Sequence, residues 1–177
     1  MNISRPETMR YPEGLSWYVV YARSRSEKKV AERLEREGIT CFLPLLKVMR
    51  QWSDRRKMVE VPMFSGYLFV HTEPACFADV RMVEGVVNFV RSGGRNAIVP
   101  EDQIRTIQLF VETGLPGESG PDDLIPGERV QVTFGPLAGC TGELLEVRNQ
   151  RRFVVRIESI RQALIITLPT GYLERIN

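Results

Sequence analysis

Pro62-Met63-Phe64-Ser65-Gly66-Tyr67-Leu68-Phe69-Val70 is the stretch that decides how this chain reads. It is an aromatic and β-branched run entered through a Ser-Gly turn, the pattern of a buried strand. Side chains alternate across a strand, so Tyr67 and Phe69 share one face while Leu68 and Val70 share the other. Both faces are apolar. Trp17-Tyr18-Val19-Val20-Tyr21-Ala22-Arg23 repeats the arrangement, with Trp17, Val19 and Tyr21 on one side and Tyr18, Val20 and Ala22 on the other. In a domain too small for three layers, such strands predict an exposed hydrophobic patch. The alternative is that helices cover both sides and the aromatics are core.

Working outward, the spacing predicts a helix from Ser26 to Glu37, with Ser26 as N-cap, Val30, Ala31 and Leu34 as its apolar stripe and Gly38 as its stop. Glu27, Lys28, Lys29, Glu32, Arg33, Glu35 and Arg36 read as its solvated face. Thr40 to Val48 reads as a strand bent or edged by Pro44. A polar, basic segment around Trp52 follows and leads into the strand at Gly66 to Thr72. Next come a short helix at 74–83, a strand at Val86 to Arg91, a Ser92-Gly93-Gly94-Arg95 turn and a helix opened by Pro100. In that last helix Ile104, Ile107 and Val111 form the apolar face. The order β-α-β, hairpin-like insertion, β-α-β-α predicts an α+β domain over 15–112, an antiparallel sheet with packed helices.

Thr113 to Ile125 is rich in Gly, Pro, Ser and Asp and lacks Lys and Arg, so 113–125 reads as a flexible acidic linker spanning roughly 20 Å. From 126 to 177 five short β-rich runs are punctuated by Gly135, Gly139, Asn149 and Gly171. They predict a small five-stranded closed barrel, because closure removes the edges of so short a sheet. Gly135-Pro136-Leu137-Ala138-Gly139 is its tight, glycine-framed turn.

The bulk properties restrict the function. The chain has 177 residues and a net charge of only +2, so nucleic-acid contact requires local patches rather than a general basic field. Cys41, Cys76 and Cys140 are widely spaced, no CxxC pair exists, and the single His71 has no neighbouring ligand residue. Reduced, packed thiols are expected, with no metal and no cofactor. Met1 to Gly14 lacks the apolar core of a signal peptide, and no apolar run approaches the ~18 residues that span a bilayer. A cytoplasmic monomer without a membrane partner is expected. With one histidine, no nucleophile elbow, no P-loop and no paired-carboxylate motif, no catalytic residue emerges, so a non-enzyme is expected.

Trp17-Tyr18-x-Val20-x-x-Arg23-Ser24, Glu27-Lys28-Lys29-Val30-Ala31, Leu34, Gly38-Ile39 and Leu43-Pro44 resemble the start of a NusG N-terminal domain. Pro62-x-Phe64-x-Gly66-Tyr67-Leu68-Phe69-Val70 and Gly85-Val86-x-x-Phe89-Val90 continue the family's order. Pro126-Gly127-Glu128-Arg129-Val130 and the 135–139 turn resemble a KOW domain. Leu43-Pro44-Leu45 and the segment Arg50 to Lys57 look most like the UpxY antiterminators, relatives of RfaH.

The resemblance implies a transcription elongation and antitermination factor that docks an aromatic patch on the clamp helices of the largest bacterial RNA polymerase subunit. That patch maps to Trp17, Tyr21, Tyr67 and Phe69. Lys47, Arg50, Trp52, Arg55, Arg56 and Lys57 form a basic loop carrying one aromatic, a composition suited to phosphate contact and base stacking on the non-template DNA strand. The His/Thr-rich segment through which RfaH-like proteins read DNA is replaced here by Ala78-Asp79-Val80-Arg81, a departure from the family pattern within which Arg81 is still a DNA candidate. In the KOW domain Leu137 and the basic group Arg148, Arg151 and Arg152 are candidate contacts to nascent RNA, Rho or a small-subunit ribosomal protein. The UpxY likeness implies recruitment to particular operons, such as those for surface polysaccharide. A KOW-type RNA- or ribosome-binding module acting without polymerase is the competing reading, and it leaves the 17–112 region unexplained.

Overall fold

The computed structural model describes residues 13–52, 54–147 and 150–176. Its N-terminal half runs β1 (Ser16–Ala22), α1 (Glu27–Arg36), β2 (Thr40–Phe42), β3 (Leu45–Gln51), β4 (Arg56–Pro62) and β5 (Tyr67–Thr72). After a 3-10 turn at Pro74–Cys76 come α2 (Phe77–Met82), β6 (Val86–Phe89), the short pair β7 (Arg91–Ser92) and β8 (Arg95–Asn96), β9 (Ile98–Val99) and α3 (Glu101–Thr113). The main sheet has the order β2-β5-β1-β6, with β9 also on β1, and its pairs are antiparallel. The strand expected over Thr40 to Val48 is two strands in two sheets. Leu43-Pro44 breaks it, after which β3 leaves the main sheet and pairs with β4 as a separate hairpin.

Register decides the faces. Trp17 stands opposite His71, Val19 opposite Phe69 and Tyr21 opposite Tyr67, while Tyr18 and Val20 oppose Val70 and Leu68. The second set packs under α1 and α2 in one core with Val30, Leu34, Phe77, Val80 and Val83. Of the first set, Trp17, Val19 and Phe69 belong to a larger core with Met63, Phe64 and the α3 residues Ile104, Ile107 and Phe110, and Tyr67 packs at its margin. That core continues without a break into the C-terminal strands, through Val130, Leu137, Phe153, Val155 and Leu164. Three layers therefore form where the N-terminal domain alone was expected to be too small for them, because α3 and the C-terminal half supply the third.

The C-terminal half consists of β11 (Glu128–Val132), β12 (Thr141–Val147), β13 (Gln150–Ile157), β14 (Gln162–Ile166) and β15 (Leu173–Arg175), preceded by β10 (Gly117–Pro121). These strands form a six-stranded sheet in the order β10-β14-β13-β12-β11-β15, open at both ends. The five-stranded closed barrel is thus corrected to an open sheet. The physical cause is occupancy of an edge: β10 pairs with β14 from Gly117 opposite Ile166 to Pro121 opposite Gln162. The hydrogen-bonding edge that closure onto β15 requires is already taken. β10 also lies inside 113–125, so only Gly114, Leu115 and Pro116 separate α3 from the C-terminal sheet.

The remainder of that segment is clamped. Arg156 on β13 pairs with Asp122, and its Nε donates to Glu143 on β12 at 2.8 Å. Its other nitrogens donate to the carbonyls of Leu124 and Ile125 at 3.0 and 2.8 Å, and Glu143 also accepts the Gly127 N–H at 2.8 Å. Burial alone would lower the Arg156 pKa. The Glu143 hydrogen bond and charge, with Asp122 and Glu158, outweigh that and raise it, so the cation persists. The two halves touch directly as well: Ser119 Oγ donates to the Met63 carbonyl at 2.6 Å.

All three cysteines are free, with Cys140 buried and Cys41 and Cys76 half-buried. Burial, then the charge of Glu35, pushes the Cys41 thiol up to about 11. No helix among the described residues is long and apolar enough to cross a membrane.

Candidate functional site

Of the four aromatic residues expected in one patch, two are core. Phe69 is fully buried between Phe42 and Phe64, and Trp17 is buried with its ring stacked on His71 at 4.8 Å. The other two are accessible. Tyr21 is 42% exposed and Tyr67 is half-buried, and their rings lie 5.4 Å apart at 55°. Cross-strand register places this pair side by side at one end of the β1–β5 ladder.

Tyr21 rests on Gly66, which has φ +83, a left-handed conformation that costs L side chains roughly 1–2 kcal/mol. A Cβ at this position would stand 2.8 Å from Tyr21 Cε2, so the tyrosine ring lies directly on the glycine backbone. Gly66→Ala is therefore expected to cost about 2 kcal/mol of stability, adding backbone strain to ring displacement. Urea unfolding measures the loss, and a variant as stable as the wild type would show that the turn relaxes freely.

Glu27 is a residue that the sequence analysis misplaced. It was assigned to the solvated face of α1, yet it is 6% exposed, and its carboxylate accepts the Gly66 N–H at 2.8 Å. A helical-wheel argument cannot see this, because the partner lies on the far side of β5's entry turn. The only local sign was an acid in the first turn of a helix, where the macrodipole favours it.

The β3–β4 hairpin carries the basic loop. Lys47, Arg50, Arg55, Arg56 and Lys57 are all exposed, and Trp52 is 58% exposed at the tip, where its N–H donates to the Arg55 carbonyl at 2.8 Å. Lys47 stands across from Glu60, and Arg56 from Gln51, which accepts its Nε at 2.9 Å. Arg50 stands across from Lys57. Like charges directly opposite on two strands repel, and an anion between them relieves the repulsion. Met49 and Met58 are also opposite each other and exposed, adding apolar surface that the sequence analysis did not single out. Arg81 is exposed on α2, away from this hairpin in sequence.

In the C-terminal sheet the expected apolar tip is reversed. Leu137 is fully buried, and the exposed apolar group beside the glycine turn is Phe134 with Tyr172, their rings 6.0 Å apart. Arg151 is exposed, Arg152 is half-buried and donates to Thr167 Oγ1, and Arg148 lies outside the described residues. Among the described residues no group of three or more His, Cys, Asp and Glu is placed to hold a metal ion.

A family model described as "Transcription termination factor nusG" matches residues 15–108, more than half of the chain. The transcription termination/antitermination protein NusG of Chlamydia pneumoniae is 31% identical over 146 residues, covering 76% of this chain and 80% of the relative. The protein of the same name from Haemophilus influenzae is 27% identical over 176 residues, covering 91% and 94%. Among solved structures, one described as "Domain interaction in Thermotoga maritima NusG" overlays 92% of this chain with a TM-score of 0.49 at 23% identity. By the family match and the identity to its curated relatives, this chain belongs to the NusG family.

Proposed function

We propose that this protein docks on RNA polymerase through Tyr21 and Tyr67 and contacts nucleic acid through its β3–β4 hairpin. The family relationship supports a general role in transcription elongation and antitermination, and NusG-family proteins are non-enzymatic transcription factors. The observation that carries the finer reading is the accessible tyrosine pair, two large aromatic rings side by side, with Tyr21 lying on a left-handed glycine. Aromatic anchors of this kind dominate protein interfaces. The clamp helices of the largest polymerase subunit are the proposed partner, with Trp17 and Phe69 backing the pair from the core rather than touching it.

The hairpin suits the non-template DNA strand: Lys47, Arg50, Arg55, Arg56 and Lys57 supply phosphate contacts and Trp52 a stacking surface, with Arg81 as a further contact. Phe134 and Tyr172, with Arg151 and Arg152, are the C-terminal surface proposed for nascent RNA, Rho or a small-subunit ribosomal protein. The UpxY-like segments at Leu43 to Leu45 and Arg50 to Lys57 support recruitment to particular operons, with surface-polysaccharide operons as the proposed class.

Recovery of host RNA polymerase on tagged wild-type protein, set against Tyr21→Ala/Tyr67→Ala, tests the docking. Recovery by the wild type and loss by the folded double variant are expected. Equal recovery moves the contact elsewhere. Absence of polymerase from both, together with RNA retention, favours the RNA-binding module.

A further inference from the structure

Glu27 carries an inference that rests on the polymerase-docking reading of Tyr21 and Tyr67. A carboxylate with 6% exposure is a costly acceptor for one backbone N–H, since desolvating the charge works against the hydrogen bond. Its position at the first residue of α1 lowers that cost, because the helix N-terminus favours negative charge. What the arrangement fixes is the two peptide units that meet at the Gly66 Cα, next to the tyrosines. The Gly66 N–H is held by Glu27 at 2.8 Å, and the Gly66 carbonyl accepts the Ala22 N–H at 2.8 Å. Ala22 directly follows Tyr21, and Tyr67 directly follows Gly66. The Tyr67 N–H donates in turn to the Phe64 carbonyl at 3.0 Å, so the entry turn is tied at successive residues. With the Tyr21 ring lying on the Gly66 backbone and Tyr67 next in the chain, a rotation about the Gly66 Cα shifts the platform of both aromatic side chains.

We propose that Glu27 is a positioning residue that sets the relative orientation of Tyr21 and Tyr67 and thereby the affinity for polymerase. It does not touch the partner. It acts from α1, across 39 residues of sequence, by fixing the Ser65–Gly66 peptide plane from which Gly66 and Tyr67 follow. An interface anchor must present its ring at one angle to fill a pocket, so a loosened platform costs affinity even when both tyrosines remain.

The test uses the full chain with Glu27→Gln, Glu27→Asp and Glu27→Ala. Polymerase affinity, the urea midpoint and exchange of the Gly66 amide by NMR are measured for each. Glu27→Gln keeps an acceptor oxygen of the same reach and is expected to bind within about twofold of wild type with the Gly66 amide protected. Glu27→Asp withdraws the acceptor by one methylene, and Glu27→Ala removes it. Both are expected to speed Gly66 exchange and weaken polymerase binding about tenfold.

Should Glu27→Ala fail to fold, Glu27→Asp against Glu27→Gln supplies the same contrast. Wild-type affinity in a folded Asp or Ala variant whose Gly66 amide has become labile overturns the proposal while leaving the docking reading intact. An unprotected Gly66 amide in the wild type also overturns it. Wild-type affinity in Tyr21→Ala/Tyr67→Ala overturns the docking reading and this proposal with it, and Gly66 exchange then reports separately whether Glu27 holds the turn.

Discussion

Tyr67→Ala is expected to weaken binding to RNA polymerase at least tenfold while leaving the fold intact. Truncating an aromatic interface anchor commonly costs ~2 kcal/mol or more, and about 1.4 kcal/mol is a factor of ten. Tyr67 is half-buried and sits at the edge of the larger core rather than inside it, so its removal opens no sealed cavity. Phe69, two residues along on the same face, behaves differently. It is fully buried, and Phe69→Ala is expected to lower fold stability by about 3–5 kcal/mol through lost burial and a residual cavity. Surface-immobilised polymerase titrated with each variant, alongside urea unfolding, separates the two effects. A Tyr67→Ala protein with wild-type affinity, or a Phe69→Ala protein with wild-type stability, contradicts this division of the face.

The second large effect is expected at Arg156. Arg156→Met keeps much of the apolar stem but removes the cation between Asp122 and Glu143, whose side chains are 12% and 23% exposed. Two partly desolvated carboxylates then lose their shared partner, as do the carbonyls of Leu124 and Ile125. Breaking a buried pair from one side costs about 3–5 kcal/mol, and the residual solvent access here reduces that to roughly 2–4 kcal/mol. The loss should be local as well as global. Amides from 117 to 127 are expected to exchange faster than those of β13, because β10 and the clamp together hold the connector on the sheet. Uniform protection in Arg156→Met would mean that the β10–β14 ladder alone suffices.

These two residues show different degrees of legibility. Tyr67 was readable because strand alternation and the Ser-Gly entry turn are local patterns. Arg156 carries no local sign of its role, since nothing near it in sequence is acidic except Glu158. Its partners arrive from β12 and from the connector, and neither approach follows from local spacing. Glu27 failed for the same reason. Its charge pattern is that of a solvated helix face, while its real partner is a backbone amide beyond three further strands. Leu137 was placed at an exposed tip because its turn is glycine-framed, but the turn folds inward and leaves Phe134 and Tyr172 outside.

By itself the sequence determined the central strands β1 and β5, the three helices, the family and which residues of those two strands share a face, because side-chain periodicity and turn chemistry are properties of neighbouring residues. Only the tertiary structure decided which apolar residues stay accessible, because burial depends on what packs over a face. Here α3 and the C-terminal strands share a core with Trp17 and Phe69 and leave Tyr21 open. It also decided that the C-terminal sheet is open. Gly117-Glu118-Ser119-Gly120-Pro121 has almost no intrinsic strand preference, and it becomes β10 because the backbone edge of β14 is there to pair with it.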